Sequence, residues 1–347
     1  MTVNNLSILV DAWVNGSSDY QARIPQPTQD NIQDTINRLS APGNSQLRNE
    51  FVDGLFNRLV GESIRIRRWS NRLAPFKNNN TAFSAGNAVR EMIVPWYDAH
   101  SYNGNVSTLL DATKTEKIGN AFHFINRQDQ YTRDVMWNEL VKGFTTPNGA
   151  NSYLSAKATA LLNSDEYDEY CIMRELITQA CDNGDNYNIS LAKPSDNATG
   201  KAFIKSLQEY NEYIQFPSSM WAKGIHRVCP DLEEVPTFAL PDEMILITTP
   251  SVKANLNVET LATLFNVEYA TLNEHMVIVD SINAVDEDGH EIYAILTTRD
   301  WFMCADSLRD TESFYDPSRR VNRIFLNHWG MYSYSPFVPF ISWSHTA

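Results

Sequence analysis

Three short, continuous apolar segments after residue 235 constrain the fold of this chain most strongly. They occupy residues 244–247, 276–279 and 292–296, and turn-forming residues such as Pro250 and Gly289 bound them. Runs of this length without alternation are typical of strands buried on both faces of a sheet. The aromatic-rich residues 325–343 alternate as strands also do. The C-terminal third of the chain therefore predicts a β-rich domain around a buried sheet.

Helical periodicity dominates the middle of the chain. Ser164, followed by two acidic residues, predicts the start of a long helix, because negative side chains are favoured in a first helical turn. Gly184 predicts its end. Further helices are expected over residues 148–162 and near residues 200–215. A helical middle followed by a β-rich domain belongs to the α+β class.

The first 130 residues contain a clear amphipathic helix between two weakly patterned regions. The helix begins near Ser45 with an i, i+4 apolar stripe and leads into an alternating strand at residues 64–67. Residues 1–45 are polar, with a short helix from Thr28, and predict an arm with little core of its own. Residues 70–130 combine turn clusters with short apolar runs. Loops that long are uncommon in a compact domain unless they have a task, such as contact with another subunit.

The charge balance restricts the partners of the chain. With 42 acidic and 28 basic side chains the net charge is −14, which repels phosphate and disfavours duplex DNA binding by the whole chain. The N-terminus lacks a basic region, and no stretch reaches the roughly 18 apolar residues of a membrane span. We therefore expect no signal peptide and no membrane segment. The four cysteines form no C-x-x-C pair, which predicts buried free thiols and folding in a reducing cytoplasm.

One acidic cluster could carry chemistry. A carboxylate group of this kind can bind a metal or act in acid–base catalysis. A helix N-terminus with a solvated acidic first turn explains the cluster better. The cluster consists of Asp165, Glu166, Asp168 and Glu169.

Two other candidates are weaker. His226 and Cys229 have a spacing that could chelate a metal, but ordinary residues ahead of Pro230 are the better interpretation. The acidic run of Asp286, Glu287 and Asp288 lacks the spacing of a calcium loop and predicts a hairpin turn. No phosphate-binding loop, nucleophile elbow or H-E-x-x-H zinc motif is present. The sequence therefore predicts a protein that is not an enzyme and needs no cofactor or metal.

The tryptophans leave a second class of function open. Aromatic rings stack on carbohydrate, and carboxylates for glycoside hydrolysis are plentiful. However, the chain contains 16 Phe, 15 Tyr and 8 Trp residues along its length, and aromatic side chains also anchor cores and protein interfaces. A glycan-binding or glycoside-hydrolysing protein is thus an alternative. Its candidate residues are Trp96 with the neighbouring Tyr97, Trp137, Trp221, Trp301, Trp329 and Trp343.

Two blocks near the C-terminus resemble the major capsid proteins of phi29-like short-tailed phages. The blocks cover residues 256–282 and 295–342, and weaker similarity begins near residue 49. The order is a helix with a Leu-Ala-x-x-Phe-Asn core, a V-x-V-I/V-D segment and a D-W-F-M segment. The matching positions are Leu261, Ala262, Phe265 and Asn266, then Val277, Val279 and Asp280, then Asp300, Trp301, Phe302 and Met303.

The resemblance implies a Hong Kong 97-type phage capsid fold within the α+β class. Such a subunit has an N-terminal arm, an extended hairpin loop, a peripheral domain with a spine helix, and an axial β-rich domain. The division of this chain is then 1–45 for the arm, 46–69 for the helix and strand entry, 70–130 for the extended loop, 131–234 for the peripheral domain with its spine helix from about residue 164, and 235–347 for the axial domain and C-terminal peripheral strands.

The resemblance also implies a function. The chain would be a structural head protein that self-assembles into hexamers and pentamers of an icosahedral shell around double-stranded phage DNA. Expected partners are a scaffolding protein, a portal and, nonspecifically, the packaged DNA. The place of action would be the virion capsid, assembled in the cytoplasm of the bacterial host. The rival is a phage-associated glycan-binding or glycoside-hydrolysing protein.

The resemblance bears on contacts as well. The extended loop is expected to reach a neighbouring subunit. Arginines suit interface ion pairs, so four of them are candidates to pair with acidic residues there. A solvated strand face is the equally weighted alternative. They are Arg65, Arg67, Arg68 and Arg72. We expect no immunoglobulin-like surface domain after the capsid core, and no Lys–Asn cross-link motif is identified.

Overall fold

The computed structural model describes residues 5–41, 43–52, 69–77, 88–96, 117–143, 149–232, 235–256, 275–319 and 321–345. The predicted strand at 64–67 and the Leu-Ala-x-x-Phe-Asn helix lie outside these residues. The chain divides into two compact units, and each is assembled from three separate segments. The division differs from the contiguous one expected from the sequence, because the chain passes between the units several times.

The first unit draws on residues 1–71, 127–169 and 306–330. It contains the helices α1 (Asn5–Val14), α2 (Ser18–Arg23), α3 (Ile32–Ser40), α4 (residues 45–52) and α5 (Trp137–Gly143). The strand β3 (Arg127–Met136) pairs antiparallel with β9 (Val321–Tyr334), from Arg127↔Gly330 to Met136↔Val321. The strand β8 (Phe302–Asp316) lies on the other side of β9.

The N-terminal region contributes to the core of the first unit. Leu9, Tyr20, Ile24 and Leu39 are each at most 1% exposed and belong to one cluster with Phe51 and Leu154. The expectation of an arm with little core of its own is therefore wrong for the described residues. The physical reason is that the apolar positions of three short helices, too sparse to predict a core individually, converge on one site in the tertiary structure.

The second unit draws on residues 72–126, 170–305 and 331–347 and is built around a five-stranded mixed sheet. The strand order is β4 (Tyr187–Ser190), β10 (Phe340–Ser344), β7 (Ile292–Thr298), β5 (Met244–Thr248) and β6 (Met276–Ile278). The three apolar runs of the sequence are thus the strands β5, β6 and β7, as predicted.

The sheet is buried on both faces, which explains why β5 is apolar without alternation. Ile245 and Ile247 point into one core cluster, whereas Met244 and Leu246 point into another. Outside the sheet, the described residues of this unit form the C-terminal part of α6 (Gly149–Asp182), α7 (Asn197–Tyr213), the short α8 (Gly224–Val228) and α9 (Pro250–Ala254). The predicted helix near 200–215 is α7, and its Phe203 and Leu207 are fully buried.

Helix α6 is continuous from Gly149 to Asp182, so the predicted break at Ser164 is wrong. The hydroxyl of Ser164 donates to the carbonyl oxygen of Ala160 at 2.9 Å, which is a contact inside a helix and not a cap. The spine helix therefore begins at residue 149 instead of about residue 164. Its end is as predicted: Gly184 has a φ of 71°, and its amide donates to the carbonyl of Cys181.

Within the predicted excursion, β1 (Ala88–Ile93) and β2 (Gly119–Phe124) form a two-stranded antiparallel ribbon. The connection at residues 97–116 lies outside the described residues. No described helix is long and apolar enough to cross a bilayer. All four cysteines are free thiols; Cys181 and Cys304 are buried as predicted, whereas Cys171 and Cys229 are half-buried.

Candidate functional site

The β1–β2 ribbon presents one face to solvent. The register pairs Ala88 with Phe124, Arg90 with Phe122 and Met92 with Asn120, so these six side chains share a face, which we call the outer face. Met92, Phe122 and Phe124 are 59%, 57% and 59% exposed. The Arg90 Nε donates to Asn120 Oδ1 at 2.7 Å and crosses the ribbon between the apolar side chains. Large apolar side chains exposed together on one strand face indicate an interaction surface.

Further exposed apolar side chains lie at the root of the ribbon. Trp96 follows β1 and contacts Phe238 edge-on, with 6.4 Å between ring centroids. Phe238 itself lies in a segment that pairs through the Ser218↔Thr237 bridge with the segment containing Phe216. The exposed fractions are 58% for Trp96, 49% for Phe238 and 68% for Phe216. The second unit therefore offers aromatic surface both on and beside the ribbon.

The acidic cluster of the sequence forms a buried ionic network in the first unit. Asp165 is fully buried and accepts hydrogen bonds from Arg127 at 2.9 Å and Arg309 at 2.6 Å. Its Oδ1 also lies 2.5 Å from the Nδ1 of His328, whose Nε2 lies 2.9 Å from Asp306. The prediction of a solvated first helical turn is therefore wrong, because Asp165, Glu166 and Glu169 are in the middle of α6 and buried; Asp168 is exposed and accepts from Tyr131.

The electrostatics of this network favour charged partners. Burial alone would raise the pKa of Asp165, but the hydrogen bond from His328 and the charges of His328, Arg309 and Arg127 lower the pKa below its usual range. Burial alone would lower the pKa of His328, yet its hydrogen bonds to Asp165 and Asp306 raise the pKa. These shifts fit a charged His328 between the carboxylates of Asp165 and Asp306, with two guanidinium groups also bound to Asp165. The network links α6 to β3, β8 and β9 within the first unit.

Two groups of described residues place three possible metal-ligand atoms within 4.8 Å of one another. In the group of Glu169, Asp306 and His328, both ring nitrogens of His328 contact carboxylates, which suits a donor better than a metal ligand. In the group of Asp286, Asp288 and His290, the carboxylate of Asp286 accepts from the backbone amides of the other two residues. These bonds close the predicted turn, where Gly289 has a φ of 84°.

The other sequence candidates are not brought together. His226 is exposed at the end of α8, whereas the Sγ of Cys229 lies 3.8 Å from the carbonyl oxygen of Asn120. Trp221, Trp301 and Trp343 are at most 5% exposed and belong to cores, while Trp96 and Trp329 are exposed and Trp137 is half-buried. Three of the six tryptophans therefore have no face available to a sugar.

The structure describes one of the four arginine candidates. Arg65, Arg67 and Arg68 lie outside the described residues. Arg72 is exposed at the start of the second unit's first segment. The proposed ion pairs of these arginines with a neighbouring subunit stay a prediction.

Sequence reasoning missed the outer face and the partners of Asp165. The alternation of Ala121 and His123 with Phe122 and Phe124 was the available signal for the first, because it predicts a strand with aromatic side chains on one face. No local sequence signal indicated the partners of Asp165. Arg127 and Arg309 lie 38 and 144 residues from Asp165 along the chain.

A family model described as "Phi29-like phage major capsid protein" matches residues 10–344. The major capsid protein of Bacillus phage PZA is 23% identical over 333 residues, which cover 94% of this chain and 70% of that protein. The major capsid protein of Streptococcus phage Cp-1 is 22% identical over 354 residues, covering 98% of this chain and 94% of the relative.

Solved structures show the same fold at low identity. A chain of the capsid structure of Staphylococcus phage Andhra superimposes with a TM-score of 0.61 at 13% identity, covering 80% of this chain and 85% of the other. A chain from the structure of the head fiber and inner core protein gp22 of native bacteriophage P68 gives a TM-score of 0.63 at 12% identity, with the same coverage.

Proposed function

Because the chain belongs to the family of Phi29-like phage major capsid proteins, we propose that it builds an icosahedral shell from hexamers and pentamers of itself around double-stranded phage DNA. The fold class predicted from the sequence is confirmed: the chain mixes helices and strands, and its structural neighbours are phage capsid proteins of the Hong Kong 97 type. The chain is a structural protein of the virion capsid.

The observation that carries the mechanism is the aromatic outer face of the ribbon. Phe122, Phe124 and Met92 are exposed in the single subunit, although covering apolar surface contributes about 25 cal/mol per Å². In a shell, each subunit is surrounded by other copies of the same chain. We therefore infer that the outer face is covered by a neighbouring subunit, as expected for an extended loop that leaves its own subunit.

Weak contacts of this kind suffice because a shell repeats them. Each subunit both offers and receives the same contact, so closure makes later associations effectively intramolecular. The exposed apolar side chains at Trp96, Phe216 and Phe238 add surface for such contacts. Shell assembly thus needs no single strong interface.

Other partners belong to the same proposal. A scaffolding protein and a portal would start and guide assembly in the cytoplasm of the bacterial host. Contact with the packaged DNA would be nonspecific and weak, since the net charge of −14 repels phosphate. Weak contact would allow the DNA to move during packaging.

We further propose that the role is structural and not enzymatic. Asp165 is engaged by Arg127, Arg309 and His328, and Asp286 by backbone amides. Half of the tryptophans proposed for a sugar cleft are core residues. The relatives offer no support for the glycan-directed alternative.

The test is assembly of the full chain, produced in bacteria with the scaffolding protein of the same phage. Sedimentation velocity and negative-stain electron microscopy are expected to reveal closed shells. The double variant Phe122→Ser/Phe124→Ser is expected to reduce shell yield by about tenfold or more, since two anchor contacts of ~1 kcal/mol each are lost in every subunit. Its circular dichroism spectrum should match that of the unaltered chain, because both side chains are exposed.

A matched control is Phe314→Ser, which removes a phenylalanine of 60% exposure from β8 in the first unit. It is expected to retain shell formation. An equal loss of shells in both variants would mean that the ribbon has no special part in assembly. A homogeneous small species that cleaves a glycan, with no shells or capsomer rings in the presence of scaffold, would overturn the capsid proposal itself.

A further inference from the structure

The inner face of the ribbon carries two polar side chains where apolar ones would be expected. Glu91 on β1 and His123 on β2 alternate with the exposed residues and therefore point away from solvent. The side chain of His123 is 5% exposed and that of Glu91 is 22% exposed. Burying such groups costs free energy unless each is hydrogen-bonded. Their contacts therefore show what this face of the ribbon is fastened to.

The two side chains form a hydrogen-bonded cluster with Ser333 and Ser335 of the C-terminal region. His123 Nε2 lies 3.2 Å from Glu91 Oε2, which joins the two strands. His123 Nδ1 lies 2.7 Å from the Oγ of Ser333, and the Oγ of Ser335 donates to Glu91 Oε1 at 2.6 Å. Both strands of the ribbon are thus tied to the same short stretch of the second unit, at the end of β9.

The other described attachments of the ribbon are mostly apolar or lie beyond its strands; one polar exception is the long 3.8 Å contact of Cys229 Sγ with the carbonyl oxygen of Asn120. Ile93 and Ala121 pack on a small cluster with Ile225 and Leu232. After β2, the side chain of Asn126 donates to the carbonyl of Tyr332 at 2.7 Å and accepts from its amide at 2.9 Å. Apolar packing is non-directional, whereas hydrogen bonds are strongly directional. Among the described contacts of the two strands with the rest of the unit, the hydrogen bonds of Glu91 and His123 are the short, directional ones that can set an angle.

We propose that Glu91 and His123 are positioning residues for shell assembly: they fix the angle at which the ribbon leaves its own subunit, so that Phe122 and Phe124 meet the neighbouring subunit. The inference rests on the proposed function and names the residues that control its interface. A closed shell needs nearly the same angle in every subunit. Without the hydrogen bonds of Glu91 and His123, the strands would be held mainly by the apolar contacts of Ile93 and Ala121 and could tilt about the Asn126 end, so the outer face would meet the neighbour at varied angles.

The test compares Glu91→Ala and His123→Ala with the conservative Glu91→Gln. A glutamine still accepts from Ser335 and can donate to His123, so Glu91→Gln is expected to behave as the unaltered chain. In the unassembled subunit, both alanine variants are expected to exchange the amides of residues 119–124 about threefold to tenfold faster, the factor that corresponds to one lost buried hydrogen bond. With scaffold present, electron microscopy is expected to show open sheets and shells of mixed diameter in place of uniform ones.

The matched control is Tyr170→Phe, which removes the hydrogen bonds between Tyr170 and Asp280 in the same unit but on other elements. It is expected to lower stability while leaving both the exchange at residues 119–124 and the shell diameter unchanged. Uniform shells from both alanine variants, or equally mixed shells from Tyr170→Phe, would overturn the inference. Failure of the proposed function is distinct, because the unaltered chain itself would then form no shells.

Discussion

At the scale of single residues, Asp165 shows how far tertiary contacts can change the meaning of a sequence pattern. The acidic cluster has the composition of a solvated helix start, but Asp165 is fully buried with two arginines and a histidine around it. Removing one partner from such a group leaves a charge buried without compensation, which is far costlier than losing an exposed pair. The network is therefore a stability determinant of the first unit.

Replacement of one partner tests this role. Arg127→Ala is expected to lower the free energy of unfolding by roughly 3–5 kcal/mol, because the buried carboxylate of Asp165 loses a donor whose own side chain is only 2% exposed. Urea denaturation of the unassembled protein, followed by tryptophan fluorescence, measures the change. The matched control Arg38→Ala breaks an exposed i, i+4 pair with Asp34 and should cost about 0.5 kcal/mol or less. Equal losses in the two variants would contradict a special role for the buried network.

At the scale of elements, helix α6 and the ribbon illustrate two different outcomes. Alternation at residues 121–124 is the local signal for β2, although it does not say which of the two strand faces is exposed. For α6, the local sequence at Ser164 favours a helix start, but residues on both sides of it, such as Leu161 and Met173, are buried in cores. Burial of apolar side chains on both sides of Ser164, with the ionic network of Asp165 between them, outweighs the local preference for a cap, since capping is worth only about 1 kcal/mol.

The continuity of α6 can be tested at the predicted break. Ser164→Pro is expected to destabilise the protein by about 3 kcal/mol or more, because proline in a helix interior removes a hydrogen bond and clashes with the preceding turn. Ser164→Ala is expected to be neutral or slightly stabilising, since alanine is the better helix former. If a helix began at Ser164, the result would be reversed: proline in the first turn would be tolerated, and alanine would cost about 1 kcal/mol. Urea denaturation separates the two cases.

At the scale of the whole molecule, charge and architecture agree with a container. A net charge of −14 suits a protein that surrounds nucleic acid without binding it tightly. Each of the two units has its own buried core, and each is closed by segments distant in sequence. The two units are therefore not contiguous stretches of the chain.

The charge leads to a prediction for the intact chain. The unassembled protein is expected to pass through a duplex DNA column at about 50 mM salt, because its net charge of −14 repels the phosphates. A salt-dependent retention, with the protein eluting as ionic strength rises, would contradict this expectation. A basic DNA-binding protein on the same column provides the control.

The sequence by itself determined the α+β class, the buried strands β5, β6 and β7, the end of α6 at Gly184 and the family. These features depend on local pattern: apolar continuity, turn chemistry and the order of short motifs. Only the tertiary structure decided the partners of Asp165, the core role of the N-terminal helices and the inner and outer faces of the ribbon. Each of these depends on residues far apart in the chain, and neither periodicity nor spacing indicates which distant side chains will meet.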